Sequence, residues 1–195
     1  MKLKICGIKR LQDIEYLNRA KVDFAGFVFA PSRQQITPEF ARELKSALDP
    51  NIKTVGVFVN ESREFIKKLV DERIIDVVQF HGGDEFALDC PTIRAFRIRS
   101  KEDILPTSCD FALFDAYKEG VAGGAGITFD WNAIADYALD SNSKPFFLAG
   151  GINIGNLRRA MELKPYAIDI SSGAEDETGQ KSLEKILELK EVLTK

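Results

Sequence analysis

Eight short apolar runs, each followed by an amphipathic or polar stretch, recur along the whole chain, and this alternation limits the fold more than any other feature. The runs cover residues 2–6, 24–29, 54–59, 76–80, 93–98, 111–114, 146–149 and 167–170. Several are apolar on consecutive residues, as strands of a parallel sheet buried on both faces are. Helical patterning lies between them at 13–20, 38–48, 61–71, 131–139, 154–163 and 183–193, with only short helical turns at 85–88 and 101–105. Thr37 before Pro38 reads as an N-cap with proline at the first helical position. Eight consecutive βα units predict an α/β fold, a single-domain (β/α)8 TIM barrel over residues 1–195 with helices 4 and 5 shortened. An open doubly wound sheet is the alternative. The 195 residues are few for a barrel, and the short fourth and fifth helices let eight units fit.

Composition narrows the function classes. The chain is 45% hydrophobic and 29% charged, as soluble globular proteins are. A net charge of −3 argues against a strongly basic nucleic-acid binder. No apolar run approaches the roughly 18–20 residues of a membrane span, and the first residues lack the h-region of a signal peptide. The three cysteines, at 6, 90 and 109, are widely spaced, and His81 is the only histidine. Neither a disulfide framework nor a zinc site is expected, and the cysteine usage fits a reducing cytoplasm. Acid–base work then falls to Cys, Asp, Glu, Lys or His81.

In a parallel barrel the chemistry sits where strands end and βα loops begin. The first strand ends in Cys6-Gly7, the fourth in His81-Gly82, and the fifth near Arg97 and Arg99, which read as a solvated strand end. The sixth ends at Asp115, ahead of a long Gly-rich segment over 116–130 that contains Gly123-Gly124-Ala125-Gly126. Gly150-Gly151 follows the seventh strand and Ser171-Ser172-Gly173 the eighth. Either loop alone reads as an ordinary turn. Together, after strands seven and eight, they point to a phosphate site in which Gly150, Gly151, Ser172 and Gly173 offer backbone amides. Singly, Cys6 reads as a small buried residue and Asp115 as a loop cap. As a pair at the mouth they could supply a base and an acid. Alone, His81 reads as a hydrogen-bonded strand-end histidine. Cys90 and Cys109 carry no assigned role.

These segments, in order over the whole chain, resemble phosphoribosylanthranilate isomerases of tryptophan biosynthesis. The resemblance rests on Lys4-Ile5-Cys6-Gly7-Ile8, Gly26-Phe27-Val28-Phe29, Val55-Gly56-Val57-Phe58-Val59, Val78-Gln79-Phe80-His81-Gly82, Phe114-Asp115, Gly123-Gly124-Ala125-Gly126 with Phe129-Asp130-Trp131, Leu148-Ala149-Gly150-Gly151-Ile152-Asn153 and Asp169-Ile170-Ser171-Ser172-Gly173-Ala174-Glu175. It implies a cofactor-free and metal-free isomerase. Such an enzyme converts N-(5-phosphoribosyl)anthranilate to 1-(2-carboxyphenylamino)-1-deoxyribulose 5-phosphate by an Amadori rearrangement. On that resemblance Cys6 is the general base and Asp115 the general acid. Asp169 meets a sugar hydroxyl, His81 contacts substrate, and Gly150, Gly151, Ser172 and Gly173 hold the phosphate. The partner is a phosphorylated aminosugar, with neither nucleic acid nor membrane, and the enzyme is a monomer or homodimer.

One departure bears on substrate recognition. The family's second-strand loop has the form Ser-x-Arg-x-Ile, its arginine binding the anthranilate carboxylate. Here it reads Ser32-Arg33-Gln34-Gln35-Ile36, so Gln34 holds the arginine position and Arg33 is one residue early. Either a shifted loop lets Arg33 reach the carboxylate, which is the expectation, or carboxylate recognition is weakened. Ser182, where the family often has an acidic residue, is expected to be structural. Two further readings remain open: an isomerase of another aminoribosyl phosphate, and a phosphosugar binder without turnover.

Overall fold

The structure, a computed structural model, describes residues 1–116 and 128–195. The Gly123-Gly124-Ala125-Gly126 motif, with most of the 116–130 segment, lies outside the described residues. The strands are β1 (Lys2–Cys6), β2 (Phe24–Val28), β3 (Lys53–Val59), β4 (Val77–His81), β5 (Thr92–Ile98), β6 (Phe111–Ala116), β7 (Phe146–Leu148) and β8 (Ala167–Ile170). They pair in sequence order, all in parallel, and β8 closes on β1. The closed (β/α)8 barrel is therefore present, and the open sheet is excluded.

Side chains alternate across each strand. One set, including Val55, Val77, Ile93, Leu113 and Phe147, fills the barrel interior. The other, including Leu3, Phe27, Phe58, Phe80 and Phe114, faces outward under the helices. The helices cover it with α1 (Leu11–Ala20), α2 (Pro38–Ala47), α3 (Arg63–Asp71), α4 (Ala135–Leu139), α5 (Leu157–Glu162) and α6 (Leu183–Thr194). In α3, Ser62 accepts the Phe65 N–H as an N-cap, and Ile66 and Leu69, three residues apart, supply the buried face. Each fully buried aliphatic side chain of this kind contributes about 1.5–3 kcal/mol. Thr37 caps α2 with Pro38 at its first position, and Ser182 caps α6 by accepting the Lys185 N–H, so its role is structural as expected.

The fourth and fifth units are more reduced than expected. Residues 85–88 form no helical turn. Gly82 and Gly83 turn the chain with positive φ, Arg94 donates to both of their carbonyls, and Glu85 accepts from Thr107 and Ser108. Those ties hold the segment as a loop. In the fifth unit only the 3-10 turn Lys101–Asp103 forms. α5 begins three residues later than its hydrophobic pattern, because Asn153 and Asn156 bond local backbone amides ahead of it.

Candidate active site

The same alternation that fills the barrel carries polar residues to its C-terminal mouth. Lys4 and Cys6 share the inner face of β1, Gln79 and His81 that of β4, and Asp115 follows Leu113 on β6. A cavity of about 110 Å3 opens there. Its lining includes Cys6, His81, Asp115, Gly150, Gly151, Asp169 and Ser172, seven of the residues singled out from sequence. Gly173 lines an adjoining hollow with Gly151, Ser172 and Lys185, which brings a cation next to the expected phosphate loops.

Arg33 behaves otherwise. It is absent from the cavity lining, about half exposed, and donates to Glu175 Oε2 at 2.7 Å. Gln34 lines the cavity instead, its amide donating to Ser171 Oγ at 3.0 Å and Glu175 Oε1 at 2.9 Å.

Burial and charge set the proton affinities. Asp115 is pushed up to about 6 by burial and by the neighbouring Asp169 carboxylate, against the Ala116 N–H that donates to its Oδ1 at 2.8 Å. Burial also raises the Cys6 thiol, opposed by the ammonium groups of Lys4 and Lys181 and reinforced by Asp169. Lys4 is completely buried and donates to Asp169 Oδ2 at 2.7 Å. Burial alone would lower its pKa, but Asp169 and Cys6 raise it, so it stays charged. His81 is pushed down to about 3 by burial and by Lys4, Arg97 and Arg94, leaving a neutral ring 2.6 Å from the Gln79 carboxamide. Two glycines make this packing possible. A Cβ on Gly26 would lie 2.8 Å from Cys6 Sγ, and one on Gly150, at φ +83°, would lie 2.5 Å from the Ala116 amide nitrogen.

Sequence reasoning gave no role to Lys4, Gln79, Glu175 or Lys181. Lys4 left a readable signal, a charged residue inside an apolar strand, two positions before Cys6 and so on its face. Gln79 has the same relation to His81. Glu175 and Lys181 meet at 2.8 Å, Lys181 also donating to the Ser171 carbonyl at 3.0 Å, and this pairing across a loop leaves no periodic trace. Among the described residues no group of three or more His, Cys, Asp or Glu is arranged to hold a metal ion.

A carboxyl pushed up to about 6 and a thiol beside a buried ammonium open onto one barrel mouth, the arrangement of a (β/α)8 enzyme suited to acid–base chemistry. The comparisons with known proteins give the family. The model of N-(5'-phosphoribosyl)anthranilate (PRA) isomerase matches residues 3–192, and the chain belongs to this family. It is 40% identical to the N-(5'-phosphoribosyl)anthranilate isomerase of Endomicrobium trichonymphae, over 98% of each chain. It is 42% identical to that of Acetivibrio thermocellus, over 94% of this chain and 91% of the relative. The phosphoribosyl anthranilate isomerase of Thermus thermophilus superposes with a TM-score of 0.84 at 32% identity, over 100% of this chain and 98% of that one. A phosphoribosyl anthranilate isomerase in complex with reduced 1-(o-carboxyphenylamino)-1-deoxyribulose 5-phosphate superposes with a TM-score of 0.81 at 29% identity, over 98% and 97%.

Proposed function

We propose that residues 1–195 form one catalytic domain, an N-(5-phosphoribosyl)anthranilate isomerase acting in tryptophan biosynthesis, with Asp115 as general acid and Cys6 as general base. The observation that carries the assignment of roles is Asp115, whose carboxyl is pushed up to about 6 in the cavity it shares with Cys6. An acid of that pKa keeps a usable fraction of its proton near neutral pH and gives it up readily. Asp115 protonates the furanose ring oxygen, and the C1–O bond breaks to leave an open-chain iminium ion. Cys6, as the thiolate, then takes the proton from C2, which the iminium makes acidic. The enolamine so formed tautomerises to the ketone. The Lys4 ammonium beside Cys6 favours the thiolate and opposes, without cancelling, the rise that burial imposes on the thiol.

The rest of the mouth binds. Asp169 Oδ1 is buried without a hydrogen-bond partner among the described residues and is suited to accept a sugar hydroxyl. Neutral His81 contacts the substrate without adding charge. Amides at Gly150, Gly151, Ser172 and Gly173 hold the phosphate, with Lys185 adjoining. Arg33 reaches the substrate carboxylate only by leaving Glu175. The substrate is a phosphorylated small molecule, and the chemistry draws on no cofactor or metal. We read the enzyme as cytoplasmic, a reading that its three free cysteines support, and as a monomer or homodimer.

The test is turnover. Phosphoribosylanthranilate is generated in place from anthranilate and phosphoribosyl pyrophosphate, and its fluorescence is followed with and without the protein. Loss of signal with wild type, abolished by Asp115→Asn, is the expected result. A folded wild-type protein that leaves the signal unchanged overturns the reading.

A further inference from the structure

In a closed eight-strand barrel β8 faces β4 across the axis and β1 faces β5. A substrate whose phosphate lies on the loops after β7 and β8 has its far end over the wall of β3, β4 and β5. On the proposed reaction that far end is the aromatic ring with its carboxylate. A buried or half-buried carboxylate needs a cation or several donors. The loop after β2 supplies a neutral amide, Gln34, already engaged with Ser171 and Glu175.

The cations near the mouth are mostly committed. Lys4 is paired with Asp169, and Lys181 and Arg33 with Glu175. Arg94 lies on the outer face of β5 and donates to the Gly82 and Gly83 carbonyls. Arg97 differs. Ile93 and Ala95 both belong to the barrel-interior core, so strand alternation puts Arg97 on the same inner face at the end of β5. The register sets it beside Asp115 on β6, and His81 lies on the other flanking strand, opposite Ala95. Arg97 is half-buried and makes no hydrogen bond or ion pair among the described residues. Arg97 is not itself among the residues lining the cavity, but its register partner Asp115 is, which places it at the rim beside the acid.

We propose that Arg97 is the group in this chain that recognises the substrate's aromatic carboxylate, in place of the arginine that the second-strand loop lacks. The proposal rests on the isomerase reading for the identity of the ligand. A guanidinium can hold a carboxylate through two parallel charge-assisted bonds, which Gln34 cannot reproduce. The position also has a catalytic consequence. Engaged by the incoming carboxylate, Arg97 exerts less pull on Asp115, so the acid keeps its proton until the ring oxygen takes it. The strand end that reads from sequence as merely solvated thus becomes part of the binding site.

The experiment measures binding, so that it does not depend on turnover. The ligands are reduced 1-(o-carboxyphenylamino)-1-deoxyribulose 5-phosphate and its counterpart made from aniline, which lacks the carboxyl. Wild type is expected to prefer the carboxylated ligand by roughly ten- to hundredfold. Arg97→Met, which keeps the apolar stem, should lose most of that ratio, and Arg97→Lys should keep part of it. Arg97→Lys also serves if the methionine variant fails to fold. A wild-type ratio retained in a folded Arg97→Met protein, or equal affinity of wild type for both ligands, overturns the proposal. Arg97-dependent discrimination without turnover of phosphoribosylanthranilate would overturn the isomerase reading and leave Arg97 standing.

Discussion

Lys4 Nζ donates to Asp169 Oδ2 at 2.7 Å inside the barrel, while the other oxygen of that carboxylate, Oδ1, is buried without a partner among the described residues. The two residues are register partners on β1 and β8, so the ion pair is built into the closure of the barrel. A buried pair recovers its desolvation cost only when its remaining hydrogen-bonding capacity is used. A hydroxyl donating to Oδ1 would use the remaining acceptor of the pair.

Lys4→Met leaves Asp169 buried and unpaired. It should cost about 3–5 kcal/mol, seen as a lower urea midpoint with little change in slope. Adding Asp169→Leu should restore most of that loss while turnover stays abolished. A single variant within about 1 kcal/mol of wild type would show that water or rearrangement replaces the ammonium.

Asp115 carries an opposite signature. Its pKa is raised from 3.8 to about 6, so the native state holds a proton that the unfolded state has released between those values. Stability falls as pH rises through that window and stays lower above it. Asp115→Asn removes this penalty and keeps an acceptor for the Ala116 N–H. The variant should match wild type near pH 3 and exceed it at pH 8 by on the order of 2–3 kcal/mol, while losing turnover. In wild type the activity that depends on protonated Asp115 should fall as pH rises past its pKa. A stability difference independent of pH would show that Asp115 is not held up in the folded chain.

Cys6→Ser tests the base. The alcohol fits the space that Gly26 leaves beside the thiol, and the fold should persist. An alcohol ionises far less readily than a thiol near neutral pH, so almost no anionic base is present and kcat should fall by at least about 10²-fold. Affinity for the reduced product should change little. Wild-type kcat in the variant would remove Cys6 from the proton transfer.

The barrel was legible because parallel strands buried on both faces leave apolar runs, and eight such runs in a row leave few topologies. Cys6, His81, Asp115 and Asp169 were legible for a related reason, since each is a polar residue at or near a strand's C-terminal end. The loop between β4 and β5 was misread at 85–88, where a local helical pattern gave way to tertiary hydrogen bonds accepted by Glu85 and donated by Arg94. Which of Arg33 and Gln34 faces the cavity was not legible, because one-residue spacing cannot say which of two adjacent loop side chains turns inward. That choice is made by Glu175, distant in sequence, which ties down Arg33 from one side and Gln34 from the other.

Glu175 therefore offers a test of how the second-strand loop is held. It is 6% exposed and accepts from Arg33 at 2.7 Å, Lys181 at 2.8 Å and Gln34 at 2.9 Å. Burial would raise its pKa, but the hydrogen bonds and charges of Lys181 and Arg33 outweigh it and hold the carboxyl below its usual range. A depressed pKa stabilises the fold above the unfolded value, and the contribution is lost as pH falls through the folded one. Glu175→Gln keeps the shape but leaves Lys181 buried against a neutral amide. At pH 7 it should cost about 2–3 kcal/mol, and the gap from wild type should close as pH is lowered below about 4. With Arg33 and Gln34 released, KM should rise by more than kcat falls. A gap that stays constant with pH would mean that Glu175 acts by packing and not as the charged anchor of the loop.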